Sequence, residues 1–112
     1  MYKFENLAIW RDSMLLVKDI YILIGKLPAK ERSNISDQLR RASTSIALNI
    51  AEGSASQNDV EFKRYLFISK KSLFEVISIL RLIKMIYNVE NKNIEDRIER
   101  LVKQITSFIK IL

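Results

Sequence analysis

The stretch SDQLRRASTSIALNIAEG, at residues 36–53, decides the fold. Its apolar and small residues recur every three or four positions, which is the spacing of one face of an α-helix. The small residues on this face allow a neighbouring helix to approach closely. We therefore predict a helix over 35–53 that ends at Gly53, in the left-handed backbone conformation that other residues resist. The apolar stripe consists of Ile35, Leu39, Ala42, Ile46, Ile50 and Gly53.

A ladder of polar side chains runs beside this stripe at the same spacing. Burial of the ladder would require a partner for each member, because an unpaired buried polar group costs roughly 1–3 kcal/mol. Two interpretations stay open: a solvated flank of the helix, or a hydrogen-bonded network between helices or between subunits. The ladder consists of Gln38, Arg41, Ser45, Asn49 and Glu52.

The composition excludes several kinds of protein. The chain has 112 residues, which predicts one domain over 1–112. It has no cysteine and no histidine, so disulfides, thiol chemistry, the commonest general base and the commonest transition-metal ligand are missing. Two glycines and one proline leave little room for hairpins or phosphate-binding loops. The composition therefore predicts an all-α protein.

Charge and hydropathy limit the possible partners. The formal net charge of +6 favours an anionic partner without establishing one. No apolar run approaches the ~18 residues of a membrane span. The opening residues MYKFENLAIWRDS carry charges on both sides of the apolar ones, unlike a signal peptide. We expect a cytoplasmic protein with no membrane contact.

Three further helices are predicted, over about 6–25, 57–87 and 94–111, joined by short polar connectors. The expected caps are Gly25, Ser56, and either Asn91 or Asn93. Four helices with matched apolar stripes predict an antiparallel up-down-up-down four-helix bundle.

The first helix carries two apolar stripes, which is more than one bundle needs. We assign the core to the heptad-spaced stripe and expect the second one to contact something outside the bundle. The core stripe is Leu7, Trp10, Met14, Val17, Tyr21 and Ile24, and the second is Ile9, Leu16, Ile20, Leu23 and Leu27. The later helices have one core stripe each: Leu66, Ser69, Leu73, Val76, Leu80, Ile83 and Tyr87, then Ile94, Ile98, Leu101, Ile105, Phe108 and Leu112.

The far side of the third helix mixes large apolar groups with cations. The cations there are Lys63, Lys70, Lys71, Arg81 and Lys84, and the apolar groups are Phe67, Phe74, Ile77 and Met85. One interpretation is a subunit interface whose rim holds the cations, and we favour it for the apolar groups. The other is a nucleic-acid surface, with cations on phosphates and rings on bases.

The acidic residues carry no catalytic pattern. Of the acids near the ladder, only Glu52 and Glu75 are candidates for a metal site, and two carboxylates without a motif do not define one. Glu75 is either solvated or paired with Arg41 in a bidentate contact between helices. We predict no enzymatic activity, no cofactor and no metal.

Four segments carry a resemblance to a known family: FENLAIWRDS, LPAKE, QLRRASTSIALNIAEG and SLFEVISIL. They resemble the bacterial four-helix-bundle proteins named for 23S rRNA intervening sequences, to which the accessory proteins of diversity-generating retroelements are related. The likeness covers nearly the whole chain. It implies a ring-like homopentamer of antiparallel bundles with a basic surface that engages nucleic acid. It also implies a reverse-transcriptase partner in the retroelement relatives, and it brings no established enzymatic activity.

Two functions are compatible with these observations. The first is a homo-oligomer, pentameric by the resemblance, that binds RNA or DNA electrostatically and without reading base sequence. Its candidate phosphate contacts are Arg40, Arg41, Lys63, Arg64, Lys70, Lys71, Arg81 and Lys84. The second is a protein-interaction scaffold or adaptor that docks subunits or another protein. The candidate interface or network residues are Gln38, Arg41, Ser45, Asn49, Glu52, Phe67, Phe74, Glu75, Ile77 and Met85. A continuous surface of cations favours the first function, and interruption of that surface by Asp and Glu favours the second.

Overall fold

A computed structural model describes all 112 residues, and it contains four α-helices and no strand. The helices are α1 (Ala8–Ile24), α2 (Ile35–Ser54), α3 (Asp59–Tyr87) and α4 (Lys92–Ile111). Short 3₁₀ turns precede α1 and α2, at Lys3–Asn6 and Ala29–Glu31. The predicted four-helix, all-α fold is confirmed.

One apolar cluster of 20 buried residues draws on all four helices. Every member of the stripe predicted for α2 is buried, from Ile35 to Gly53. The stripe of α3 is buried from Leu66 to Ile83, and that of α4 from Ile94 to Ile105. The helical spacing therefore identified the core faces of these three helices correctly.

The contacts between α2 and α3 are those of antiparallel neighbours, because a residue earlier in α2 contacts a residue later in α3. Ser69 reaches Ile46, and Ser72 reaches Ser45. The pairs between α3 and α4 follow the same rule, with Arg81 on Glu95 and Phe62 on Phe108. The predicted up-down-up-down order is compatible with these pairs.

The assignment of the two stripes of α1 was wrong. The stripe built on Ile9, Leu16 and Ile20 is buried, whereas Met14 and Tyr21 are 46% and 48% exposed. Both stripes have helical spacing, so spacing alone does not decide between them. The buried stripe is purely aliphatic, while the exposed one holds a phenol and a flexible thioether.

Gly53 does not end α2 as predicted. The helix continues through Ser54, and no glycine in the chain has a positive φ. Instead, Gly53 is buried where α3 passes: a β-carbon on it would lie 2.7 Å from Cβ of Tyr65 and 2.9 Å from Cδ1 of Phe62. The glycine is needed for a close helix–helix approach rather than for a turn.

The predicted cap of α3 was also wrong. Asn58, not Ser56, is the N-cap, and its Oδ1 accepts a hydrogen bond of 2.9 Å from the backbone N–H of Glu61. The hydroxyl of Ser56 is buried without a partner. Of the other predicted caps, Gly25 follows α1 in a right-handed conformation, and Asn91 precedes α4.

The connector between α1 and α2 is tied to the far end of α3. The hydroxyl of Tyr87 donates to Oε2 of the buried Glu31, whose Oε1 lies 3.4 Å from Nδ2 of Asn34. The hydrogen bond to this carboxylate, together with partial burial, raises the pKa of Tyr87 above its usual value. This hydrogen bond joins residues 56 positions apart in sequence.

None of the helices is both long and apolar enough to cross a membrane.

Candidate functional site

The middle of the polar ladder forms a network between α2 and α3. Nδ2 of Asn49 donates to Oγ of Ser45 at 2.9 Å and to its backbone oxygen at 2.8 Å. The hydroxyl of Ser72 donates to the same Oγ at 3.0 Å. Ser69, which we had placed in an apolar stripe, donates to the backbone oxygen of Ile46 at 2.9 Å while fully buried. These small polar groups fix the register of the two helices.

The two ends of the ladder are solvated. Gln38, Arg41 and Glu52 are all exposed. Of the two alternatives for Glu75, the structure shows the solvated one, and the pair with Arg41 is absent within the chain. Nε of Arg41 lies 3.1 Å from Oδ2 of Asp37, four residues earlier, and Glu75 is exposed with no ion pair. An acid one turn away on the same helix provides the nearer partner.

The eight cations predicted to bind nucleic acid divide into two groups of four. Arg40 and Arg41 both contact Asp37, at 3.6 and 3.1 Å. Arg81 pairs with Glu95, and Lys84 lies 3.2 Å from Glu90. None of the seven ion pairs in the structure involves the remaining four, which are Lys63, Arg64, Lys70 and Lys71.

The four unpaired cations occupy the first half of α3 and lie in two rows. Lys63 and Lys70 are seven residues apart and lie on the side toward α4, in line with Arg81. Arg64 and Lys71 form the second row, on the side toward α2. Phe67 and Phe74 lie between the rows, 50% and 55% exposed. We call these six residues the α3 ridge.

A second exposed apolar strip lies along the junction of α2 and α3. Leu48 is exposed on α2 near the Ser45–Asn49 row. Ile68, Leu82 and Ile86 lie on the flank of α3 that carries the buried Ser72 and Ile79, spread over about 27 Å of the helix. Glu75 belongs to the same strip. We call it the α2/α3 face, and its exposed apolar members are Leu48, Ile68, Leu82 and Ile86.

The other predicted interface residues lie on the outer side of α3. Ile77 is half-buried and lines a shallow groove of about 270 Å³ with Phe74 and residues of α4. Met85 is exposed further along the helix. Neither one takes part in the polar network.

The structure contains no group of three or more acidic side chains placed to hold a metal ion. The largest groove, of about 660 Å³, lies between the end of α1 and the start of α4 and holds none of the predicted site residues. Arg97 pairs with Asp19 inside it at 3.2 Å.

The fold and these surfaces define a class: a small four-helix bundle with a polar seam between α2 and α3 and a basic, aromatic ridge on α3. A family model described as 23S rRNA-intervening sequence protein matches residues 5–110. The chain belongs to that family, as the sequence resemblance had predicted.

A solved structure agrees with this assignment. It is a protein with unknown function from the S23 ribosomal protein family of Bacteroides thetaiotaomicron. The two chains are 25% identical and superpose with a TM-score of 0.83 over 92% of this chain and 99% of the other. No curated protein matches this sequence.

Proposed function

We propose that this protein is a non-enzymatic homo-oligomer that binds RNA or DNA through the first half of α3. One observation carries the proposal: four cations clustered on the outer side of α3 lack carboxylate partners, while the other four predicted cations lie beside three carboxylates. Unpaired surface cations are free to contact phosphates and release the counterions that surround a nucleic acid. The family description names an rRNA intervening sequence and is compatible with this choice.

The recognition is electrostatic and independent of base sequence. The side chains at the centre of the ridge are two phenylalanines. They are not the Asn, Gln or Arg side chains that read base edges. The proposed site contains four cations, whereas the sequence predicted eight. Arg81 pairs with Glu95 and Lys84 pairs with Glu90, so these two cations add little positive potential at the far end of α3.

Self-association is the second part of the proposal, and it uses the α2/α3 face. Four large apolar residues are exposed along this face, and their burial against a second copy is favourable. A second copy of the chain covers this face and leaves the ridge open to solvent. Five copies is the number that the family resemblance implies.

The test is the mass in solution by light scattering behind a sizing column, with and without a mixed-sequence RNA, at low and high salt. We expect an oligomer that captures RNA at low salt and releases it at high salt. An oligomer that ignores RNA at every salt concentration contradicts nucleic-acid binding. A monomer contradicts self-association through the α2/α3 face.

A protein-interaction scaffold is the second candidate, favoured by the exposure of Phe67 and Phe74. In that function the rings dock a subunit or another protein, and the positive charge serves solubility. The same measurement separates the two candidates, because a scaffold gives an oligomer whose mass is unchanged by RNA.

A further inference from the structure

The sequence KRYLFISKKSLF, at residues 63–74, contains one pattern twice. Two adjacent cations are followed by a phenylalanine three positions after the second cation: Lys63, Arg64 and Phe67, then Lys70, Lys71 and Phe74. The repeat length is seven residues, close to two helical turns. Equivalent side chains therefore lie on the same side of α3, about 10 Å apart along its axis.

The ring-bearing positions form the outermost line of the ridge. Phe67 and Phe74 lie across α3 from the buried Ser69 and Val76, and both rings are about half exposed. A cation from each row flanks each ring. Neither ring belongs to the buried core cluster or packs against it, so both are accessible to a ligand.

We propose that the α3 ridge binds single-stranded nucleic acid, with bases stacked on Phe67 and Phe74 and the sugar–phosphate backbone held by the cations on either side. This inference rests on the proposed function and specifies the form of the ligand. Stacking on an aromatic ring tolerates any base, because every base has a π-face. The flanking cations supply the attraction to phosphate that the rings lack.

A duplex fits the ridge poorly. In a duplex the base faces are stacked on one another, and only their edges are accessible in the grooves. Phe67 and Phe74 pressed against those edges would leave donors and acceptors of the bases without partners, which is unfavourable. An unpaired strand offers base faces instead, and its backbone is free to follow either row of cations.

Acidic residues mark where the ridge ends. Beyond Phe74, Glu95 pairs with Arg81 on the side toward α4, and Glu75 stands exposed on the side toward α2. Within α3, charge complementarity to a polyanion is therefore strongest in the first half of the helix. Two copies of the chain that met ridge to ridge would bring eight cations together, which disfavours a symmetric contact of subunits through this surface.

The test compares three ligands of equal phosphate number by fluorescence anisotropy: a mixed-sequence RNA strand, an RNA duplex of half that length, and an abasic strand. The variant is Phe67→Leu/Phe74→Leu, which keeps the helix face apolar and removes the rings. We expect wild type to prefer the RNA strand over both other ligands. We expect the variant to lose roughly ten- to a hundred-fold in affinity for that strand. Its binding to the abasic strand and its salt dependence stay unchanged, because no charge has been removed.

Met85→Leu is the matched control. Met85 lies on the same side of α3 but beyond the cations, so this substitution leaves all three affinities unchanged.

The possible failures are distinct. If wild type binds none of the three ligands, the proposed function fails and this inference fails with it. If wild type binds the duplex and the abasic strand as tightly as the RNA strand, and the double variant does the same, nucleic-acid binding stands but stacking is overturned. If the double variant lowers the mass of the free oligomer, the rings belong to a subunit contact, and the inference is likewise overturned.

Discussion

Tyr65 on α3 holds its Cβ 2.7 Å from the point where a β-carbon on residue 53 of α2 would stand. Two helices come this close only when one of them has no side chain at the contact. The glycine that seemed to terminate α2 therefore sets the distance between α2 and α3. The polar network of Ser45, Asn49 and Ser72 lies along the same contact.

Gly53→Ala is expected to destabilise the protein. Alanine gains about 0.5–1 kcal/mol over glycine inside a helix. Overpacking against Tyr65 and the buried Phe62 costs about 1–3 kcal/mol. We expect the loss to prevail, with a net destabilisation of roughly 1–2 kcal/mol by urea unfolding at one fixed protein concentration.

Gly25→Ala is the matched control for that experiment. A β-carbon on Gly25 meets nothing closer than the backbone oxygen of Ile22 at 3.4 Å, and its φ of −62° suits any residue. We expect unchanged or slightly higher stability. Equal effects of the two substitutions would show that Gly53 is not a packing position.

Two side chains at the start of α3 are expected to differ in their contribution to stability. Asn58→Ala removes the hydrogen bond to the N–H of Glu61 and lowers the free energy of unfolding by about 1 kcal/mol. Ser56→Ala removes a buried hydroxyl that has no partner, so it leaves stability unchanged or raises it. Thermal unfolding of both variants checks the assignment of the cap, and a larger loss in the Ser56 variant would contradict it.

Tyr87→Phe is expected to lower the midpoint of thermal unfolding at neutral pH, because the buried carboxylate of Glu31 loses its hydroxyl donor. The folded state raises the pKa of Tyr87, so it favours the protonated phenol. This stabilisation is complete below the unfolded pKa of about 10 and is lost as the pH rises through the folded pKa.

The difference in melting midpoint between wild type and Tyr87→Phe should therefore be constant from pH 6 to about 9 and shrink above about 10. Tyr21→Phe is the control, since Tyr21 is exposed and makes no hydrogen bond to another side chain. A difference that stays constant up to high pH would mean that the hydroxyl of Tyr87 does not bond to Glu31.

Glu75→Gln is expected to tighten RNA binding by a few-fold at low salt, because it removes an acid at the edge of the ridge next to Phe74. Because Glu75 also lies on the α2/α3 face, light scattering checks that the variant has the same mass as wild type. Asp12→Asn makes the same change of charge on α1, which does not contact α3. Anisotropy titrations of both variants separate a local effect from one of net charge. Equal gains in both would indicate that only the total charge matters.

The sequence predicted the core of α2 because that helix has a single apolar stripe. It did not predict the core of α1, where two stripes of equal spacing compete and only the packing of the other helices decides. Gly53 was misassigned for a related reason: a glycine near the end of a periodic stretch has the same sequence signal as a cap and as a close contact. Its neighbour across the interface, Tyr65, is twelve residues away in the chain.

The sequence alone could not show which cations have carboxylate partners and which do not. Arg81 and Lys84 look like Lys70 and Lys71 in the pattern of α3, and they differ only because Glu95 and Glu90 fold back next to them. The doubled cation-and-phenylalanine pattern could have been found, since its repeat of seven residues is visible in the printed sequence. What remained hidden was which of its neighbours carry acidic partners.

The central claim is that the unpaired cations of α3 contact phosphates and the paired ones do not. The most direct measurement is the slope of log affinity against log salt for a single-stranded RNA, in two fourfold variants of equal net charge. One replaces Lys63, Arg64, Lys70 and Lys71 by Gln, and the other replaces Arg40, Arg41, Arg81 and Lys84 by Gln. We predict that the first variant reduces the magnitude of the slope by about 3, which is four phosphates at roughly 0.7 each, and that the second leaves most of it intact. Equal reductions in the two variants, or a wild-type affinity that does not depend on salt, would contradict the account.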